Sequence, residues 1–378
     1  MEFSVLKKSK RSNARLGLIK TSHGTIKTPS LVPVATRAVV KTLTAAEAVK
    51  AKSQVLIANT FHLHLRPGEK IIKSAGGLHK FMHWPQPLMT DSGGYQVFSL
   101  GFGTDFNTGK IAKTGEKKPV TRGLNPRNVK ITDRGVFFRS PINGSELFIG
   151  PKESIQIQHA LGADIIFTFD ECTPPNADEK YTAASLIKTH RWAKQCLTYK
   201  RGRHQSLFGI VQGGKYKNLR IESAKYIAAL PFEGFGIGGE FGSSKKTMMK
   251  MLDWVISELP NEKPRHLLGI GHLEDIPKII KSGVDLFDCI VPTHYARNGV
   301  AFTSSGRLNM RKTIFLSDKK PLDGKCQCFV CADYRRNYIA HLVRAKEITG
   351  LKLLTFHNLF FFNSFVEKIR LDIKAGKI

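Results

Sequence analysis

Eight short apolar runs, each closed by polar or glycine-rich residues, set the tightest limit on what this chain can fold into. They are LVPVAT (31–36), VLIANT (55–60), PLMTDSGG (87–94), DIIFTFDE (164–171), SLFGIVQGG (206–214), GFGIGGE (234–240), RHLLGIG (265–271) and LFDCIVPT (286–293). Helical patterns such as IPKIIKSGV (276–284) lie between several of them. Strands alternating with helices need crossover connections and build parallel sheets, and eight such units predict an α/β fold, a (β/α)8 TIM barrel. An open doubly wound sheet is the runner-up. No Gly-x-Gly-x-x-Gly opens a helix after an early strand, so nothing favours dinucleotide binding.

The spacing also divides the chain. Residues 1–300 read as the catalytic barrel. They carry a Gly- and Lys-rich stretch near 101–139 that reads as a flexible basic insertion. Residues 301–378 read as a zinc-binding subdomain with C-terminal helices, YIAHLVRAKE and LFFFNSFVEKIRLDI, packed on the barrel. No run approaches the length of a membrane span, and the N-terminus lacks the apolar stretch of a signal peptide, so a cytoplasmic protein with no membrane partner is expected.

Charge narrows the partner. The 59 Lys and Arg against 30 Asp and Glu leave +29, and the excess is clustered. Residues 1–40 hold eight basic side chains against one acid, 101–139 nine against three, and 294–378 sixteen against six. Clusters of this kind attract a polyanion, and nucleic acid is the first partner to consider.

Polar residues fall where several strands end: Asp91 after PLMT, Asp170 and Glu171 after IIFTF, Gln212 after FGIV, and Asp288 inside DLFDCIVPT. Taken singly, each has a structural reading as a turn residue or helix cap. A barrel, however, gathers its strand C-termini at one mouth, and a carboxylate among Phe287, Cys289, Ile290 and Val291 is costly unless used. Two carboxylates at such a mouth suit chemistry at an anomeric carbon, one as nucleophile and one as proton carrier. Sugar hydrolysis is the generic alternative. The basic charge and only three tryptophans favour a phosphate-bearing glycoside instead.

Cys326, Cys328 and Cys331 form C-x-C-x-x-C, three thiolates able to grip one tetrahedral zinc ion. His341 and His357 compete for the fourth place, and spacing does not choose between them. His62 and His64 in FHLHL would share a face if that run were a strand, but read as ordinary satisfied histidines.

Together DSGGYQ (91–96), FDECTPP (169–175), VQGG (211–214), GIGG (236–239), HLLGIG (266–271), FDCIVPT (287–293) and the cysteine trio with TFHN resemble the bacterial tRNA-guanine transglycosylases, from about residue 12 to residue 372. The resemblance implies exchange of guanine at the wobble position of tRNAs with GUN anticodons for a 7-deazaguanine, queuine or preQ1, in queuosine formation, usually by a homodimer. It implies Asp288 as nucleophile and Asp91 as general acid/base. Ser92, Gly93, Gly94, Asp170, Gln212 and Gly239 would surround the base edge, with Tyr95 and Leu268 sandwiching the ring. RNA contacts would come from Gly269, Ile270, Gly271, His272, Leu273, Glu274 and Asp275, and from Thr293, His294, Tyr295, Ala296 and Arg297. One structural zinc would sit on Cys326, Cys328, Cys331 and His357.

Three departures stand out. His294 replaces the family's usual arginine, and the 101–139 stretch is absent from the shorter bacterial pattern. Residues 240–244 read Glu-Phe-Gly-Ser-Ser where Leu-Ala-Val-Gly-Glu is usual. Gly242 in place of a valine implies a pocket open to queuine, with Glu240 pairing the ligand amine, although Cys172 is retained from the preQ1-type pattern. A non-catalytic partner subunit of the same fold would have lost a chemical carboxylate; both are present.

Overall fold

A computed structural model of the chain describes residues 1–98, 129–174, 176–202, 204–239 and 245–378. It opens with an antiparallel meander, β1 (Glu2–Lys8), β2 (Arg15–Thr21) and β3 (Gly24–Thr28). All eight apolar runs then become strands of one closed parallel barrel. They are β4 (Ser30–Ala35), β5 (Leu56–Ala58), β6 (Leu88–Thr90), β10 (Ile165–Phe167), β11 (Ser206–Val211), β12 (Gly234–Ile237), β13 (Arg265–Leu267) and β14 (Leu286–Cys289). Strand β14 pairs with β4, and β6 pairs with β10 rather than leaving an edge, which excludes the open sheet.

The period-two alternation of each strand sorts its side chains. Val32, Ile57, Met89, Ile165, Phe167, Phe208, Ile210 and Leu286 fill the barrel interior. Leu31, Leu56, Leu88, Ile166, Leu207, Val211 and Phe287 meet the helices outside. Each such side chain, fully buried, contributes about 1.5–3 kcal/mol. In β14 the same parity turns Asp288 inward, in line with Leu286.

The meander, which the sequence reading did not resolve, closes the end where the strands begin: Ile19 and Ile26 join the interior cluster, with Met1 and Phe3 packed against it. Only two of its side chains carry that burial among exposed lysines, so its pattern is faint. Polar ties reinforce this end. Arg15 donates twice to Asp285, whose Oδ2 also accepts the Arg265 N–H, and both members of the pair are buried. Asp164 accepts from Leu88 N–H and bonds His23 (2.8 Å) and His79 (3.2 Å). Burial alone would raise the Asp164 carboxyl, but the two histidines hold it down, to about 2.

Of the basic stretch, residues 101–128 lie outside the described residues. Residues 129–139 hold regular structure: β7 (Val129–Ile131) pairs with β8 (Val136–Arg139), which pairs with β9 (Glu146–Ile149), and Val129, Val136, Phe138 and Ile149 are buried in the outer core. The charge count hid an apolar strand pattern. FHLHL is likewise a helix, Thr60–Leu65, started by Asn59, whose side chain accepts from His62 N–H. Residues two apart on a helix diverge, so His62 and His64 share no face; His64 bonds Glu69 at 2.7 Å.

After β14 and the helix Val291–Arg297 come a hairpin, β15 (Val300–Thr303) and β16 (Gly306–Asn309), then helices Phe329–Asp333, Arg336–Arg344 and Ile348–Lys374. The last begins earlier than its pattern suggests and carries TFHN in its interior rather than at a turn. It packs on β4, on the helix Ala45–Lys50 and on the helix Val291–Arg297. Among the described residues no helix is long and apolar enough to cross a membrane.

Candidate active site and metal centre

The strand C-termini enclose a cavity of about 430 Å³. Asp91, Ser92, Gly93, Tyr95, Asp170, Cys172, Gln212, Gly239, Leu268, Gly269 and Asp288 all line it, so residues up to 197 positions apart in the chain meet at one mouth.

Asp91 follows β6 directly. Its Oδ1 accepts the N–H groups of Thr60 (2.9 Å) and Gly93 (3.2 Å), and Asn59 donates to Oδ2. Burial pushes its pKa up to about 7 against those donors, and the neighbouring charge of Asp288 pushes the same way. A carboxyl poised near neutrality can both give and take a proton under physiological conditions.

Asp288 is held from β13 and the turn after it: His266 Nε2 and the Gly269 N–H both lie 2.9 Å from its Oδ1. Its side chain is 14% exposed, enough to be reached from the cavity.

Beside the two carboxylates runs a polar chain. Ser92 donates to Asp170 Oδ1 (3.1 Å), and Gln212 Nε2 donates to Asp170 Oδ2 (2.6 Å). Gln212 Oε1 is buried with no hydrogen-bond partner among the described residues. An acceptor left in this state costs about 1–3 kcal/mol, so the cavity is set up to receive a ligand N–H there. Gly239 makes the close approach: at φ +86°, an added Cβ would lie 2.2 Å from Gln212 Oε1. Gly94 is similarly tight, its Cβ position 2.7 Å from the Asp170 carbonyl.

Sequence reasoning missed the supports. Fully buried Arg220 donates to the carbonyls of Gly214 and Gly238, tying the two glycine loops together. Gln158 bridges β6 and β10 through Thr90 and Phe167. Asn59 and Thr60 end a strand and were open to the same argument that found Asp91. His62 lines the cavity, and its pKa is lowered first by burial and then by Arg37 and Lys41. Lys41 is lowered by burial, Arg297 and Arg37 in turn. Arg37, Lys41 and Arg297 thus bring positive charge together beside His62.

The candidate RNA segments divide by exposure. Ile270, Gly271, Asp275, Thr293 and Ala296 are buried, whereas Gly269, Glu274 and His294 are exposed and His272, Leu273, Tyr295 and Arg297 half-buried. Residues 240–244, where the sequence departs from the family pattern, lie outside the described residues.

Away from the mouth, Cys326, Cys328, Cys331 and His357 bring one ligand atom each within 4.8 Å of all the others. His357 donates from Nε2 to the Phe302 carbonyl (2.8 Å), which leaves Nδ1 facing Cys328 and Cys331 at 3.5 and 3.3 Å. That outer bond fixes the tautomer a metal ligand needs. His341 is exposed on its helix and takes no part. The four donors fit a closed, structural metal site, as expected for three thiolates and one imidazole. The other His/Asp cluster, His23, His79 and Asp164, differs: its two rings stack at 3.5 Å and 14°, so their lone pairs lie in separate parallel planes.

The family model for queuine tRNA-ribosyltransferase matches residues 9–378. The chain is 45% identical to the queuine tRNA-ribosyltransferase of Halothermothrix orenii, covering 100% of this chain and 95% of that protein. It is 42% identical to that of Pelotomaculum thermopropionicum (100% and 96% covered) and 44% identical to that of Staphylococcus aureus strain JH9 (99% and 92%).

Proposed function

The chain belongs to the queuine tRNA-ribosyltransferase family, a family of tRNA-modifying glycosyltransferases, and on that premise we propose that it exchanges guanine at the wobble position of GUN-anticodon tRNAs through a covalent link between Asp288 and the ribose. The observation that carries this reading is the pairing of Asp91 and Asp288 in one cavity, beside a polar chain that ends on an unpartnered buried acceptor.

In the first step a lone pair of the Asp288 carboxylate bonds to C1′, and the C1′–N9 electron pair leaves with guanine, which takes a proton from Asp91. In the second, the incoming base gives its ring proton back to Asp91 as its nitrogen bonds to C1′, and the C1′–O pair returns to Asp288. The phosphodiester strand is never cut. Ser92, Asp170, Gln212 and Gly239 read the base edge, while Tyr95 and Leu268 flank the ring.

The wobble base reaches the cavity by flipping from an anticodon loop, whose bases are already partly splayed. Arg37, Lys41 and Arg297 supply positive charge for its phosphates, with the exposed His294 beside them. One zinc ion on Cys326, Cys328, Cys331 and His357 holds the cysteine segment and the helix Phe329–Asp333 to the long helix. The enzyme works as a cytoplasmic homodimer. Its incoming base is queuine, or both queuine and preQ1, because the sequence has Gly242 at the position where the family pattern it resembles has a valine.

The test is incubation with unmodified GUN-anticodon tRNA and guanine, preQ1 or queuine, read by mass spectrometry beside Asp288→Asn. Incorporation that is lost in the variant supports the proposal; incorporation that persists refutes the covalent route. Strong preference for preQ1 in competition refutes the queuine assignment alone.

A further inference from the structure

We propose that His266 is a positioning residue that governs the release of Asp288 from the ribose, an inference that rests on the reading of Asp288 as nucleophile. His266 lies in the middle of β13, fully buried, with its ring against Phe167 inside the barrel (5.4 Å between centroids, 61°). A leucine or phenylalanine would fill that place at no polar cost. The histidine instead brings a buried Nδ1 with no hydrogen-bond partner among the described residues. Nothing in the packing offsets that orphaned nitrogen. What the ring gains is on its other side, where Nε2 lies 2.9 Å from Asp288 Oδ1.

An ionised carboxylate can only accept, so a hydrogen sits on Nε2 and His266 is a donor to Asp288. Together with the Gly269 N–H, also at 2.9 Å, it grips one oxygen of Asp288 from two directions and sets the plane of the carboxylate before a ribose arrives.

The consequence differs between the two half-reactions. When Asp288 attacks, its negative charge is spent, and these donors hold the ground state. When the incoming base displaces it, the C1′–O electron pair returns to the carboxylate and the charge reappears beneath the same two donors. A donor aimed where charge develops accelerates that second step. Loss of one hydrogen bond to a charged group corresponds to roughly a 10- to 100-fold effect.

The experiment uses the zinc-loaded full chain with GUN-anticodon tRNA. The covalent protein–RNA complex is trapped on a denaturing gel and chased with guanine. His266→Phe is expected to form the complex with an unchanged KM for tRNA but to release it roughly 10- to 100-fold more slowly than the parent, so that the complex accumulates. His266→Gln, which keeps an amide donor, is expected to recover release to within about fivefold. Release at the parental rate in His266→Phe overturns the proposal. So does equal slowing in His266→Gln, which would mark a role in shape alone. His266→Leu gives the same reading if the phenylalanine does not fold. A complex that still forms in Asp288→Asn refutes the nucleophile itself; its absence there, with normal release in His266→Phe, refutes only the role of His266.

Discussion

Asn59→Ser is expected to move the pH dependence of base exchange upward. In the parent, Asp91 is poised at about 7, and the Asn59 amide is one of three donors that stabilise its ionised form. A hydrogen bond to a charged acceptor is worth about 1.5–3 kcal/mol, and one pKa unit is about 1.4 kcal/mol, so removing it raises Asp91 by roughly one to two units. Serine is chosen because it keeps a capping oxygen for the helix Thr60–Leu65, which Asn59 now caps. The assay is single-turnover kinetics of each half-reaction from pH 5.5 to 9.5. Formation of the covalent complex needs Asp91 protonated, so in the parent it slows tenfold per unit above about pH 7. Displacement by a free base needs it ionised and slows below the same point. In Asn59→Ser both breaks shift upward together, and displacement at pH 7 falls roughly 5- to 50-fold. If the breaks stay in place while the rates fall uniformly, Asp91 is not the proton carrier.

Removal of the metal ligands separates the two candidate histidines: His357→Ala is expected to lose the single zinc per chain in elemental analysis and to melt well below the parent, whereas His341→Ala keeps both. Asp164→Asn removes a carboxylate whose folded pKa is depressed to about 2. That stability, about 2.5 kcal/mol, is full above the unfolded value near 4 and lost as pH falls toward 2, so urea melts of parent and variant should converge in acid and differ at neutral pH. Asp285→Ala strands the buried Arg15 and is expected to cost about 3–5 kcal/mol, while Arg15→Met with Asp285→Leu costs much less; equal losses in denaturant melts would contradict a buried ion pair. Gly239→Ala should leave tRNA binding intact and abolish exchange, because its methyl group takes the space beside Gln212 Oε1.

The eight barrel strands were legible in the sequence because each is a short apolar run closed by turn residues, a signal that survives without any knowledge of neighbours. The same local signal placed Asp91, Asp170, Gln212 and Asp288 at strand ends, and the cysteine trio announced a metal. Weaker signals were lost: the meander's two buried isoleucines are diluted by lysines, the strands at 129–139 were hidden by their charge, and FHLHL, whose conformation the sequence left open, is capped into a helix by Asn59. What only the tertiary structure decided is everything that depends on distance between segments. Strand pairing put β6 on one side of β10 and β11 on the other, and so brought Ser92 and Gln212 onto the two oxygens of Asp170. The Phe302 carbonyl, 55 residues before His357, selected that histidine over His341 by turning its Nδ1 toward the cysteines. His266, an unremarked letter in an apolar strand, acquired a role only when parity and register set its Nε2 against Asp288, because a hydrogen bond is specified by position to a fraction of an ångström and a sequence records only order.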